Sequence, residues 1–274
     1  MDIKCFAACV ALSVTAGAAS AQNEWGFIST TGDPDPITVF DLENPGASNT
    51  SFGNVATNFN RGMDFDTVDS FYYYVSTDAL NDPGQRGLWY FDEGINTQLS
   101  TIPFSDSGDG DATLSANGST FFVTTDDGDA TSGDSLYAFS NLGGVPTFTE
   151  IGETGLSQII GLAVNPVTGI MYGYDSSTEA LYTIDPEDGT PTLVGTSGMS
   201  LAAIGGMDFS ADGSTLLLSS GRNLFTVNTS DGSLTAAGDA LLNISALSYR
   251  APIPAPATAT LLALGGIVGF RRRR

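Results

Sequence analysis

Leu181-Tyr182-Thr183-Ile184-Asp185 is one of five versions of a single phrase in this chain. The others are Ile37-Thr38-Val39-Phe40-Asp41, Leu88-Trp89-Tyr90-Phe91-Asp92, Leu136-Tyr137-Ala138-Phe139-Ser140 and Leu224-Phe225-Thr226-Val227-Asn228. Their starts lie 51, 48, 45 and 43 residues apart. Side chains along each phrase alternate in direction, as a strand with one buried face requires. Each phrase is followed by a polar turn, such as Asp188-Gly189 or Asp231-Gly232, and then by a short β-prone run.

Two more strand signals precede each phrase. The nearer set covers 25–30, 71–77, 120–125, 170–174 and 215–219, and the farther set covers 62–65, 112–114, 161–164 and 206–209. Asn117-Gly118 and Asp212-Gly213 join the farther to the nearer, and such dipeptides between apolar runs are a strong hairpin cue. Each unit therefore reads as four antiparallel strands, and a period of about 45 residues in four-stranded units is the signature of β-propeller blades. The first unit lacks its opening strand, while 244–249 is an opening strand with no unit of its own. Pairing the two predicts a five-bladed β-propeller over 22–250 whose C-terminal strand closes the ring against the N-terminal strands, leaving no open edge. The alternative with similar strand content is a β-sandwich. Phrases such as 181–185 with the trailing Asp188-Gly189 resemble bacterial YVTN- or quinoprotein-type propeller repeats, a likeness that implies fold rather than activity.

The two ends read as addresses. Met1 to Lys4 is followed by an apolar stretch over 5–18, and Ala19-Ser20-Ala21 before Gln22 is the A-x-A pattern of a cleaved secretory signal. Residues 1–21 are thus a predicted signal peptide with the mature start at Gln22. Residues 251–274 run Ala251-Pro252-Ile253-Pro254-Ala255-Pro256, an apolar segment over 257–270, and Arg271-Arg272-Arg273-Arg274. This tail resembles the sorting signal of PEP-CTERM proteins. In those proteins a Pro-Glu-Pro triplet precedes an apolar helix and a basic stop; here Pro254-Ala255-Pro256 lacks the acidic residue. The resemblance implies a Gram-negative exporter, partnership with export and exosortase-type sorting machinery, and a secreted or cell-surface destination. The apolar segment is 14 residues, short of the ~20 that span a bilayer as a helix. A membrane-inserted tail is therefore expected to be transient, held by its Arg block on the cytoplasmic side and then cut; the other reading is an ordinary C-terminal anchor.

Both cysteines, Cys5 and Cys9, and the sole lysine, Lys4, fall in the predicted signal. The mature core keeps Arg61, Arg86, Arg222 and Arg250 against 30 of the 31 acids, a net of −26, with no His. Such a field excludes nucleic acid and anionic lipid as partners and favours cations. It also suits a salty medium, where screening relieves self-repulsion.

Without His, Cys or Lys the mature core has no Ser-His or Cys-His pair, no imidazole metal site and no amine nucleophile. Carboxylates remain. Asp64 and Asp208 hold the same register on two opening strands, where the other units offer Thr113, Ala163 and Ser248. Two carboxylates at a propeller funnel are candidate acid and base for a sugar, although an Asp recurring at one repeat position is more commonly a hydrogen-bonding device. Asp106, Asp109 and Asp111 in one Gly-rich stretch, and Asp126, Asp127 and Asp129 with nearby Asp134 in another, read as loop oxygens suited to Ca²⁺ or as solvated acidic turns. Neither stretch completes an EF-hand loop. Tyr73 and Trp89 are candidate rings for stacking on sugar.

The reading is an exported, surface-sorted, non-catalytic propeller that binds or scaffolds extracellular material. The sorting resemblance implies exopolysaccharide or biofilm matrix as that material. A carboxylate-dependent glycosidase or lyase at the funnel is the alternative, and a structural filler without a specific ligand is a third.

Overall fold

The computed structural model describes residues 24–30, 35–56, 60–76, 83–102, 110–126, 133–202 and 204–250. They form five four-stranded antiparallel sheets. The first sheet combines β1 (Glu24–Ser29), β2 (Pro36–Asp41) and β3 (Thr50–Asn54) with β20 (Ile244–Arg250) from the far end. The second holds β4 (Asn60–Asp66), β5 (Phe71–Ser76), β6 (Gly87–Asp92) and β7 (Ile95–Thr101). The third holds β8 (Asp111–Leu114), β9 (Thr120–Asp126), β10 (Asp134–Ser140) and β11 (Thr147–Leu156). The fourth runs through β12 (Ile159–Val164), β13 (Met171–Asp175), β14 (Ala180–Ile184) and β15 (Pro191–Thr196). The fifth runs through β16 (Gly205–Phe209), β17 (Leu216–Ser220), β18 (Asn223–Val227) and β19 (Leu234–Asp239).

These are the five blades expected, and two facing sheets are not formed. Strands β20, β4, β8, β12 and β16 are innermost and touch one another in that cyclic order, β16 returning to β20. The ring closes as the orphan strand requires: Trp25 lies opposite Tyr249, Gly26 opposite Ser248 and Phe27 opposite Leu247. Among the described residues, the regular structure outside the strands is one 3-10 turn, Pro83–Gln85. No helix among the described residues is long and apolar enough to cross a membrane. The predicted signal, with Ala19, Ala21 and Gln22, and the tail, with Pro254, Ala255, Pro256 and Arg271 to Arg274, lie outside the described residues.

Each interface between neighbouring blades has its own apolar core. Ile28, Ile37, Met63, Tyr72 and Phe91 fill the first-to-second interface, and Val75, Leu88, Phe121 and Phe139 the second-to-third. Leu136, Ile159 and Leu162 fill the third-to-fourth, Ile160, Leu181, Met207 and Leu218 the fourth-to-fifth, and Phe27, Leu217, Leu224 and Leu247 the fifth-to-first. The first residue of every phrase (Ile37, Leu88, Leu136, Leu181, Leu224) belongs to one of these cores, which is why the phrase recurs. Inner strands are buried on both faces, so they read as near-continuous runs rather than alternations.

A β-bulge stands opposite that first residue in every blade, where the fourth strand kinks over the next blade. The bulged strand places Gly53, Ser100, Gly152, Gly195 and Gly238 there. A Cβ on Gly195 would stand 1.9 Å from the Asp231 carbonyl oxygen of the next blade, and one on Gly152 would meet the Asp188 carbonyl. At Gly152, Gly195 and Gly238 glycine thus lets the turn after the neighbouring blade's third strand dock closely.

Candidate functional site

Inner-strand residues pointing along the propeller axis make two rungs. The upper rung, nearer the turns that lead into the second strands, is Asp64, Thr113, Ala163, Asp208 and Ser248. The lower rung, two residues earlier and on the same strand faces, is Gly62, Asp111, Gly161, Gly206 and Ala246.

The upper rung staples four of the five junctions between neighbouring blades. Asp64 Oδ2 accepts the Leu114 amide at 2.7 Å and the Thr113 hydroxyl at 3.2 Å, both from the following blade. Its Oδ1 accepts the Phe65 amide at 2.6 Å and the Ser248 hydroxyl, from the preceding blade, at 3.3 Å. Thr113 Oγ1 in turn accepts the Val164 amide at 3.1 Å. Asp208 accepts the Phe209 amide on Oδ1 and the Tyr249 amide of the next blade on Oδ2, each at 2.6 Å. Ala163 has no side-chain acceptor, and the Phe209 amide bonds to Asp208 of its own strand just as the Phe65 amide bonds to Asp64. In the lower rung, three glycines and an alanine bring the strands close: a Cβ on Gly62, whose φ is +91°, would stand 2.2 Å from the Ala112 amide nitrogen. Asp111 is the one large member. Its Oδ2 accepts the amides of Leu162 and Met207 from the next two blades, both at 2.8 Å, so it plugs the axis.

Burial governs the electrostatics. It raises the Asp64 carboxyl to about 6, against the lowering effect of its amide donors. It also holds Asp208 well above the usual carboxylate range, assisted by the charge of Asp64, and Asp111 likewise, with Asp64 again contributing. Asp111 Oδ1 is buried without a hydrogen-bond partner.

Above the rungs the mouth opens as a depression of about 260 Å³. Asp64 and Asp208 are in its floor. Its walls come from the turns after the first strands of four blades, including Val68, Ala116, Pro166 and Ala211. Those turns are internally braced: Asp66 Oδ1 accepts the Val68 and Asp69 amides, Asn117 Oδ1 the Ser119 amide, Asn165 Oδ1 the Val167 and Thr168 amides, and Asp212 Oδ1 the Ser214 amide. Gly118 and Gly213 take φ of +69° and +68°, as the Asn-Gly and Asp-Gly hairpin cues require.

The structure therefore brings Asp64 and Asp208 together at one mouth. It moves Asp111 away from the acidic loop in which the sequence placed it: Asp111 is the first residue of an inner strand, fully buried and spent on two amides. Asp126 is the last residue of β9, paired with Asp134, which begins β10, is buried and accepts the Ile159 amide. Asp106, Asp109, Asp127 and Asp129 lie outside the described residues. Among the described residues no group of three or more His, Cys, Asp or Glu side chains is arranged to hold a metal ion. Tyr73 does not offer a ring to solvent; it is buried against Phe121 at 5.8 Å between ring centres. Trp89 is half-buried, stacked on Tyr74, with its indole N–H given to the Gln85 carbonyl. The sequence reading missed the Thr113 staple and the Asp111 plug. Stepping two residues back from Asp64 in every repeat exposes the second, since only one of five aligned positions is not Gly or Ala.

Ring and mouth together define a five-bladed β-propeller with a shallow, acid-floored axial pocket. No family model matches the chain, and no curated protein matches it. Many solved structures share its architecture. A chain from the crystal structure of a nidogen/laminin complex superposes with a TM-score of 0.58 at 18% identity, covering 83% of this chain and 82% of that one. A gluconolactonase from Xanthomonas campestris, important in glucose secondary metabolic pathways, gives a TM-score of 0.52 at 16% identity, covering 82% and 80%. At these identities the likeness is one of fold.

Proposed function

We propose that this protein is an exported, surface-sorted propeller that binds extracellular material, exopolysaccharide or biofilm matrix, at the axial mouth without catalysing a reaction on it. One observation carries the reading: the mouth is a rigid concave site assembled from four blades, while its best-placed carboxylate, Asp64, is occupied by blade-to-blade hydrogen bonds. A general acid or base must be free to meet the reacting proton, and Asp64 is engaged on both oxygens. Concave sites of mixed aliphatic and polar lining are where propellers and other folds take ligands. The closed ring keeps the mouth pre-organised, which lowers the ordering cost of binding.

The exported, surface-sorted part rests on the signal-like start and the PEP-CTERM-like end. Mass spectrometry of the protein recovered from its native cells tests it, with a mature start at Gln22 and a tail cut near Pro254 to Pro256 as the expected products. The binding part is tested by co-sedimenting the full chain with the polysaccharides of its native matrix. Retention that is lost on Ala211→Trp, which fills the mouth, is expected; retention unchanged by that substitution contradicts the site.

A second reading, a carboxylate-dependent glycosidase or lyase, is favoured by a different observation. Asp64 titrates near 6 beside Asp208, a range useful to an acid catalyst at neutral pH, and a gluconolactonase is among the propellers of similar fold. Release of reducing ends or unsaturated products, abolished by Asp208→Asn, would establish it in place of the binding-only reading.

A further inference from the structure

Asp64 and Asp208 occupy the same rung, but their hydrogen-bond accounts differ. An ionised carboxylate offers about four acceptor positions. Asp64 uses all of them, on the amides of Phe65 and Leu114 and the hydroxyls of Thr113 and Ser248. Asp208 uses two, on the amides of Phe209 and Tyr249. The reason lies in its neighbours. On one side the rung has Ala163, which has no hydroxyl. On the other it has Ser248, whose hydroxyl reaches Asp64 or its own chain at Tyr249 O. Asp208 is more than nine-tenths buried and lines the mouth, so half of its acceptor capacity is unspent and open to whatever fills the pocket. Each of its oxygens already has one donor, and a ligand that donates would fill the positions that remain. The fitting ligand therefore donates.

Charge narrows the class. Among the described residues, the ionisable groups lining the mouth are Asp64, Asp66, Asp208 and Tyr249, with no Arg or Lys. The nearest cation in sequence, Arg250, is turned away: its guanidinium lies over the Phe52 ring at 4.4 Å and pairs with Glu24. An anionic polymer would meet this floor uncompensated and raise the buried carboxyls further, whereas a cationic donor would favour the ionised form of Asp208 against the effect of its burial and gain charge-assisted hydrogen bonds. Size narrows it further. About 260 Å³ is below the ~300–1,000 Å³ of pockets for drug-sized ligands, and the walls at Val68, Pro166 and Ala211 offer aliphatic surface to the C–H face of one sugar ring.

We infer that Asp208 is the ligand-contacting acceptor of the mouth and that it receives the ammonium group of an amino-sugar unit in an extracellular polymer. This rests on the mouth being the binding site proposed above, and Asp64 is assigned to holding the rung rather than the ligand.

The test measures binding of three tetramers to the full chain at fixed salt: glucosamine, N-acetylglucosamine and galacturonic acid. The expected result is at least tenfold tighter binding of the glucosamine tetramer than of the N-acetylated one, with no binding of the galacturonate. Asp208→Asn should erase that preference, while Glu187→Gln, an equal charge change on an exposed turn, should leave it intact. Ala163→Ser is a second variant that keeps every charge; it places a hydroxyl beside Asp208 as Ser248 stands beside Asp64, and should weaken glucosamine binding several-fold. Equal loss in Glu187→Gln and Asp208→Asn would reduce the effect to general attraction and overturn the inference. So would equal binding of the glucosamine and N-acetylglucosamine tetramers, even with Ala211→Trp abolishing both and the mouth reading intact. Binding of all tetramers unaffected by Ala211→Trp would remove the mouth reading itself.

Discussion

At Asp64 a single carboxylate links three blades, and this burial makes it a pH-dependent element of stability. Its folded value of about 6 lies above the ~3.9 of an unfolded Asp, so the native state holds the proton more tightly. The stabilising contribution is complete below about pH 4 and is lost as the pH rises through about 6. Asp208 and Asp111 shift in the same direction. Denaturant unfolding should therefore show stability increasing from pH 7 to pH 4.5, by about 2 kcal/mol from Asp64 alone, and Asp64→Asn should flatten that slope. A protein most stable at pH 7 would contradict the buried rung. Thr113 makes a simpler case. Thr113→Val leaves the Val164 amide without its acceptor inside the ring and should cost about 1–3 kcal/mol, read as a lower midpoint with an unchanged m-value.

Strands and turns differ in how far the sequence alone reveals them. The phrase at 181–185 was legible because its first residue must enter an inter-blade core, which constrains its chemistry in every repeat. The hairpin cues at Asn117-Gly118 and Asp212-Gly213 were legible because positive φ selects glycine. The fourth-strand bulge was less so. Gly53, Gly152, Gly195 and Gly238 recur for the same steric reason, but blade two has Ser100 there and the spacing to the phrase varies with turn length. Asp111 was misplaced for a related reason: the neighbouring acids at 106 and 109 suggested a loop, whereas its burial depends on Leu162 and Met207, 51 and 96 residues away. Local pattern cannot encode such partners. The bulge yields its own prediction. Gly195→Ala puts a methyl into the Asp231 carbonyl and should lower stability by about 1–3 kcal/mol, measured by thermal unfolding. Gly118→Ala, with nothing within 4 Å of its added Cβ, should cost only the strain of its positive φ, about 1–2 kcal/mol.

Over the molecule as a whole, two forces oppose each other. The core from Gln22 to Arg250 carries a net −26, and mutual repulsion favours the expanded chain. Five inter-blade cores and a closed strand ring hold it compact. Added salt shortens the range of that repulsion from about 30 Å at 0.01 M to about 3 Å at 1 M, so the melting temperature should climb with NaCl across that range. The pair Arg222 and Asp239, exposed on the fifth blade at 2.6 Å, should offset little of this rise, since exposed pairs are worth about 0–1 kcal/mol.

Every rung position and the mouth itself follow from the closure that sets β20 beside β1. Glu24 and Arg250 are directly opposed in that pairing, and the predicted mature chain contains no other cysteine with which an introduced pair could compete. The most direct test is oxidation of a Glu24→Cys, Arg250→Cys variant in which Cys5 and Cys9 are replaced by Ser, followed by non-reducing electrophoresis and thermal unfolding. Closure predicts a spontaneous intramolecular disulfide and a melting temperature that rises in the oxidised form and falls back on reduction. Cysteines that stay free under oxidation, or cross-link only between molecules, would contradict it.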